Sequence, residues 1–295
     1  MKVIVRMKGG LGNQLYCYAA AKRLAIKNNA ELIIDDVSGF KRDYLHQKKY
    51  MLDNFNIPSK KATPFERLEP FERIRRGVLK KYYNFIVFEN KKYIEQEFDD
   101  YDSRLLNVKL SQDTYIDGLW QSENYFKDIK LILLEDLVIT PPRDSKNLEI
   151  EKEIQNSESV AVHIRWFEKA ENSVSNTTYY TKAIETMENM IENANYFIFS
   201  DNIEVVKKNI DFSNKKVTFV NHNINEEDAI WDFWLMSKCK HFIIANSTFS
   251  WWAAWLSQSN INKKVIFPRL SEESEKKWSW DYEGQMLDEW VHIII

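Results

Sequence analysis

The 295 residues predict an α/β protein built as two Rossmann-like domains facing one another across a cleft. Three observations carry that expectation. A strand, a glycine-rich turn, a helix and a second strand follow one another at the N-terminus, and such a βαβ unit requires a parallel sheet. The second half alternates five apolar strands with helices, the pattern of a doubly wound domain. Between the halves, Ile139-Thr140-Pro141-Pro142-Arg143-Asp144-Ser145 breaks the periodicity, because two prolines cannot continue a helix and polar residues follow them. The boundary therefore falls near Pro142, giving an N-terminal domain over 1–142 and a C-terminal domain over 143–295.

In chain order, Val3-Ile4-Val5 reads as a buried strand. After Gly9-Gly10-Leu11-Gly12, the spacing of Leu15, Tyr18, Ala19, Lys22 and Leu24 suits a helix to about Asn28, and Glu31-Leu32-Ile33-Ile34-Asp35 is the second strand. From Gly39 to Asp113 the pattern is irregular, charged and aromatic. Within it, Lys60 to Lys92 holds ten Lys or Arg against four Glu, a net +6. That segment is either a solvated helical face or a patch that meets anionic lipid or a glycan carrier at a membrane surface. Tyr115 to Trp120 reads as a strand, followed by a helix through Tyr125 to Leu134. Beyond Pro142 the strands are Ser159 to Arg165, Tyr196 to Ser200, Val217 to Val220, Phe242 to Ala245 and Lys264 to Phe267. The helices between them are Thr178 to Asn193, Ile203 to Asn209, Asp228 to Lys238 and Phe249 to Gln258. In such a fold a ligand sits in the crevice outside the carboxyl ends of the strands.

Charge and composition narrow the function. Forty-one Lys plus Arg against 44 Asp plus Glu leave a net charge of -3, which argues against a nucleic-acid binder working by bulk charge. With 44% hydrophobic and 29% charged residues the chain belongs with globular proteins rather than disordered or fibrous ones. Its longest apolar stretches, Trp251 to Leu256 and Phe242 to Ala245, fall far short of the ~18 residues that span a bilayer. The apolar run at the N-terminus is too short for the core of a signal peptide, so a cytoplasmic protein, or one peripheral to the inner face of the membrane, is expected. Cys17 and Cys239, the two cysteines, build neither a disulfide framework nor a zinc cluster. Asp100-Tyr101-Asp102 matches a D-x-D pattern but follows no apolar strand, so no metal site is assigned there. No Ser/His/Asp triad or histidine cluster stands out.

Three constellations carry chemistry. Of only seven glycines, Gly9, Gly10 and Gly12 fall within four residues after the first strand. Glycine there permits positive φ and close approach of a phosphate or sugar to the backbone and the start of the helix, although a tight turn without a ligand would look the same. The segment is neither GxGxxG nor GxxxxGK[ST], so the dinucleotide oxidoreductase and P-loop signatures are absent. Next, the apolar strand Val160-Ala161-Val162-His163-Ile164-Arg165 ends in an arginine placed to grip a diphosphate, with charge-assisted bonds worth ~1.5 to 3 kcal/mol each. His163 points the same way and is either an orienting group or a satisfied core histidine. Last, Asn246-Ser247-Thr248-Phe249-Ser250 follows a buried strand with more polar side chains than one helix cap needs, so some of them, with the helix N-terminus, are candidates to hold phosphate oxygens. Asp201, after another strand of the same half, is placed to accept from a base or sugar hydroxyl, or to cap a helix.

Four segments together, Gly9-Gly10-Leu11-Gly12-Asn13-Gln14-Leu15-Tyr16, Gly118-Leu119-Trp120-Gln121-Ser122, His163-Ile164-Arg165 and Asn246-Ser247-Thr248-Phe249-Ser250-Trp251-Trp252-Ala253-Ala254-Trp255, resemble glycosyltransferase family 11, the α-1,2-fucosyltransferases. The resemblance spans most of the chain in the right order. It implies a GT-B fold with the donor domain in the second half, GDP-fucose as donor, inversion at the anomeric carbon, no metal or cofactor, and a galactose-containing glycan such as an O-antigen unit as acceptor. Gly10, Gly12, Asn13, Arg165, Asp201, Asn246, Ser247, Thr248 and Ser250 are the candidates to contact such a donor, and Arg165, Glu168 and His163 to serve catalysis; Glu168 and Glu171 are the carboxylates nearest in sequence for a general base, or else solvated loop residues. One departure stands out. The family pattern H-x-R-R-x-D reads His163-Ile164-Arg165-Trp166-Phe167-Glu168 here, and an indole does not replace a guanidinium as an anion donor. A relative using another GDP-deoxysugar, or a nucleotide-sugar or glycan binding module without turnover, are the alternatives.

Overall fold

A computed structural model describes residues 1–44, 47–97, 100–165, 177–258, 261–269 and 284–295. The chain divides into two compact units between Val138 and Ile139, four residues before Pro142, and Gly284 and Gln285 return to the first unit.

The first unit carries β1 (Lys2–Arg6), α1 (Leu11–Lys27), β2 (Glu31–Asp35), β3 (Lys60–Lys61), α2 (Glu72–Tyr83), β4 (Tyr93–Glu95), α3 (Ser103–Asn107), β5 (Thr114–Asp117) and α4 (Lys130–Asp136). Its parallel sheet has the order β3-β2-β1-β5-β4. β1 lies at the centre, Val3 paired with Leu32 on one side and Thr114 on the other, which is why Val3 and Val5 are fully buried. α1 is buried over most of its circumference, its small run Ala19-Ala20-Ala21 permitting close packing at good helix propensity. The opposite sheet face buries Ile4, Ile33, Tyr93 and Tyr115 under Leu79 and Tyr83 of α2. The irregular stretch in the sequence thus holds β3, α2, β4 and α3, most of them too short to show a period.

Two elements of this unit differ from expectation. The strand expected to Trp120 stops at Asp117, because the chain turns there with Trp120 at φ 53, its N–H and that of Leu119 both bonding to Gln96 Oε1 at 3.1 and 2.7 Å. The helix expected from Tyr125 begins only at Lys130. Phe126 leaves helical geometry at φ -146, ψ 3 so that the fully buried Phe126 ring packs 5.9 Å from Tyr16.

The second unit carries α5 (Ser145–Gln155), β6 (Glu158–Ile164), α6 (Thr177–Met190), β7 (Ala194–Ser200), α7 (Ile203–Asn209), β8 (Lys216–Val220), α8 (Ala229–Lys238), β9 (His241–Ile243), α9 (Thr248–Leu256), β10 (Val265–Arg269) and β11 (Val291–Ile294). The five expected strands are present, and β11, the half-buried C-terminal run, adds a sixth beside β10. α5 is also additional, started by Asp144, whose side chain accepts from Asn147 N at 2.8 Å in the usual N-cap manner. All pairings are parallel, in the order β8-β7-β6-β9-β10-β11. Counted within the unit that is 3-2-1-4-5-6, the doubly wound order of dinucleotide-binding folds. β6, β7 and α6 supply the core around Val160, Val162, Ile164, Tyr180, Ile184 and Ile198. Tyr179 ties the sheet to α6, its hydroxyl donating to Ile244 O at 2.7 Å and Ile266 O at 3.2 Å. Cys17 and Cys239 are free and buried. Among the described residues no helix is long and apolar enough to cross a membrane.

Candidate functional site

In the second unit β6 and β9 are neighbours, yet the chain leaves β6 toward β7 on one side and β9 toward β10 on the other. Their carboxyl ends therefore splay into the crevice where open α/β sheets bind ligands. The residues emerging there are Arg165 from β6 and Asn246 and Ser247 from β9, with Asp201 beyond the end of β7. Arg165 Nε lies 3.5 Å from Asp201 Oδ2, both side chains about two-fifths exposed, so the arginine is oriented at the rim while its charge remains accessible.

His163, one turn of the pleat earlier, is 6% exposed. Its ring lies 5.6 Å from Phe249 in the first turn of α9, and its carbonyl accepts from the Tyr180 hydroxyl at 3.2 Å. Burial, helped by the Arg165 charge, pushes its pKa down to about 3, so the imidazole is neutral at physiological pH. The catalytic part read for His163 from the sequence narrows accordingly to that of a neutral hydrogen-bonding group, too weak a base to titrate in the working range. Among the described residues its buried Nδ1 has no partner, an unmet bond of the kind that substrate or water satisfies.

The Asn246 to Ser250 turn separates into two kinds of residue. Ser247 holds the N-cap position of α9 at φ -138, ψ 120, but its side chain caps nothing. Its carbonyl instead accepts from Trp251 N at 3.0 Å and Ser250 Oγ at 3.2 Å. Ser250 is fully buried and engaged within the helix, whereas Asn246, Ser247 and Thr248 are half-buried at the mouth. The tryptophans behind them form a core, Trp251 stacked on Trp255 at 6.3 Å and Trp252 edge-on to Trp255 at 5.1 Å. With no capping bond from the Ser247 side chain among the described residues, the N-terminus of this nine-residue helix directs backbone donors and a positive dipole end at the crevice.

In the first unit the switch falls between β1 and β5. Gly9 needs its lack of side chain, at φ 73. Gly10 does not: it is extended, φ -72 and ψ 176, and a Cβ added there would meet nothing within 4 Å. Gly12 and Asn13 lie in the first turn of α1, and Asn13 Oδ1 accepts from Gln121 Nε2 at 2.7 Å, joining the turns after β1 and β5. Gln14 is a latch rather than a ligand group, with Nε2 donating to Gly9 O at 2.9 Å and Lys49 O at 2.8 Å while Oε1 accepts from Met51 N at 2.9 Å. Under the turns lies Asp117, paired with Arg6 at 3.1 Å and Lys8 at 2.9 Å and accepting from Tyr93 at 2.8 Å. These partners outweigh its burial and bring the carboxyl down to about 2.

A second polar cluster, without a sign in the sequence, lies at the carboxyl side of the second sheet. Asn223, after β8, donates to Asp232 of α8 at 2.7 Å, and Asn147 exchanges bonds with Asn223 at 3.1 Å while its Oδ1 lies 3.0 Å from His222 Nε2. Burial raises the Asp232 carboxyl to about 7. A perturbed carboxyl at a ligand-binding sheet edge is a candidate site residue, but one aspartate in an aromatic helix gives no sequence signal. Glu168, Trp166 and Glu171 lie outside the described residues. Asp102 caps α3 through Arg104 N at 3.0 Å and pairs with the Arg104 side chain. Among the described residues no group of three or more His, Cys, Asp or Glu is placed to hold a metal ion.

The model of the family described as "Glycosyl transferase family 11" matches residues 2–294. An alpha-1,2-colitosyltransferase of Escherichia coli is 31% identical over 304 residues, 99% of this chain and 98% of that one. The O-antigen biosynthesis glycosyltransferase WbnK of Escherichia coli is 30% identical over 317 residues, 97% of this chain and 99% of that one. Among solved structures, the α-1,6-fucosyltransferase NodZ soaked with GDP-fucose aligns with TM-score 0.53 at 15% identity, over 86% of this chain and 92% of that one. That likeness is one of fold, and it agrees with the GT-B class of two Rossmann-like units.

Proposed function

The chain belongs to glycosyl transferase family 11, and from that premise we propose that it is an inverting, metal-independent glycosyltransferase moving L-fucose from GDP-fucose to the 2-hydroxyl of a galactoside in a glycan such as an O-antigen unit. The observation that carries the reading is the switch point of the second sheet, where Arg165 and the uncapped N-terminus of α9 converge. A diphosphate fits donors of that kind.

In the reaction so proposed, the acceptor oxygen bonds to the anomeric carbon as the bond from that carbon to the β-phosphate oxygen breaks, and the negative charge lands on GDP. The guanidinium of Arg165 and the amides of the Ser247 turn stabilise that charge, the largest contribution a protein makes to such a transfer. His163, neutral and with Nδ1 unmet among the described residues, orients the donor by a hydrogen bond. Glu168 is the carboxylate assigned to deprotonate the acceptor.

A second reading of the donor has its own support. The relative matching 99% of this chain is a colitosyltransferase, which makes GDP-colitose the alternative. The two sugars differ by a hydroxyl, and a site built to bond that hydroxyl rejects the analogue lacking it by about 10⁴-fold, whereas an apolar pocket discriminates by only about 10². Calorimetric titration without metal, first with GDP and then UDP, tests the nucleotide; transfer from GDP-fucose and GDP-colitose to β-galactosides tests the sugar. GDP binding with UDP silent and turnover of GDP-fucose is the expected result. Preference for UDP overturns the family-based donor reading, and transfer from GDP-colitose alone selects the alternative.

A further inference from the structure

The basic segment of the first unit is more than a solvated helical face. α2 turns Leu79 and Tyr83 onto the sheet, and on another side it exposes Phe71, Ile74, Val78 and Tyr82, continued by Phe85 just past its end, each 60% exposed or more. Ile74, Val78 and Tyr82, four residues apart, share one face of the helix, with Phe71, the N-cap residue at φ 67, just before them. At about 100° per residue, Arg75 falls on one flank of that stripe and Lys81 on the other. Arg73, Arg75, Arg76 and Lys81 make no ion pair among the described residues, while Lys60, Lys61, Lys80 and Lys91 do. A folded monomer rarely leaves such a row of large apolar side chains in water without a use for it.

We propose that α2 is an interfacial helix, its Phe71–Tyr82 stripe entering the headgroup region of an anionic phospholipid bilayer while Arg75 and Lys81 pair with lipid phosphates. Charge selects this occupant. The 60–92 segment carries +6, and although Lys60, Lys61, Lys80 and Lys91 are matched by acidic residues outside it, Arg73, Arg75, Arg76 and Lys81 lie on the helix that exposes the apolar stripe, the combination that holds amphipathic helices on anionic surfaces. A second copy of the chain docking on the same stripe would bring the basic residues of two α2 helices together, which like-charge repulsion opposes. The inference stands on α2 alone and not on the donor assignment.

Co-sedimentation of the full chain with vesicles of phosphatidylcholine alone, or of phosphatidylcholine containing phosphatidylglycerol, tests it without any sugar donor. The protein is expected to pellet with the anionic vesicles, less so as salt rises, and to stay in solution with the neutral ones. Arg75→Gln with Lys81→Gln should weaken binding roughly thirty-fold, at about fivefold for each basic residue lost. Ile74→Ser with Val78→Ser should abolish it, and as these side chains are exposed the variants should melt with the wild type. Absence of pelleting, equal pelleting with both vesicles, or unaltered binding by either double variant overturns the proposal. A dimer in sedimentation velocity that Ile74→Ser with Val78→Ser converts to monomer, without vesicle binding, assigns the stripe to a second copy instead.

Discussion

Arg165 Nε sits 3.5 Å from Asp201 Oδ2 across the ends of the adjacent strands β6 and β7. With both side chains about two-fifths exposed the pair itself adds little to stability, and its consequence is orientation of the guanidinium at the crevice. Arg165→Ala should therefore leave the melting temperature of the unliganded protein nearly unchanged. GDP affinity should fall by about 10- to 100-fold, the loss of one or two charge-assisted bonds. Calorimetry alongside a thermal melt separates the two effects, and equal GDP affinity in the variant would remove Arg165 from the diphosphate.

Gly10 offers a cleaner separation of fold from ligand. Its backbone suits alanine and the added Cβ meets nothing within 4 Å. Reduced freedom of the unfolded chain gives about 0.4 to 1 kcal/mol in favour of Gly10→Ala, and the poorer N-cap opposes it by a similar amount, so the melting temperature should hardly move. If a substrate lies against this backbone, the methyl displaces it, and kcat/KM should drop by about a hundredfold. Unchanged kinetics would mean that the glycine serves only the turn.

What the sequence made legible was what repeats. The alternation from Val160 to Phe267 exposed the second sheet, since fully buried parallel strands read as apolar runs, and with it the strand ends that carry Arg165 and Asn246. β3 and β4 are two and three residues long, below the length at which any period shows, and β11 is half-buried at an edge. Spacing also could not tell a polar residue at the rim from one inside a helix turn, so Ser250 and Ser247 looked alike until their bonds separated them. Gln96 acts through Leu119 and Trp120, distant in sequence, and Asp232 through one amide bond across a loop, for which a single chain carries no local sign.

The buried Asp117 and the half-buried Asp232 carboxyls give opposite dependence of stability on pH. Asp117 is lowered in the folded protein from 3.8 to about 2 by Lys8 and Arg6. Its contribution is present above the unfolded pKa and is lost as pH falls from about 4 toward 2, an effect of about 2 kcal/mol. Asp232 is raised from 3.8 to about 7 by burial, so the folded protein holds a proton that the unfolded chain has released, and stability is lost as pH rises through that window, by a few kcal/mol in order of magnitude. Asp232→Asn keeps an oxygen for Asn223 and carries no charge. Its denaturation midpoint should match the wild type near about pH 4 and exceed it increasingly toward about pH 8, whereas Asp117→Asn should be the weaker protein at neutral pH and converge with the wild type toward acid. Midpoint curves for the Asp232 variant that run parallel to the wild type across this range would show that Asp232 is ionised in the folded state throughout.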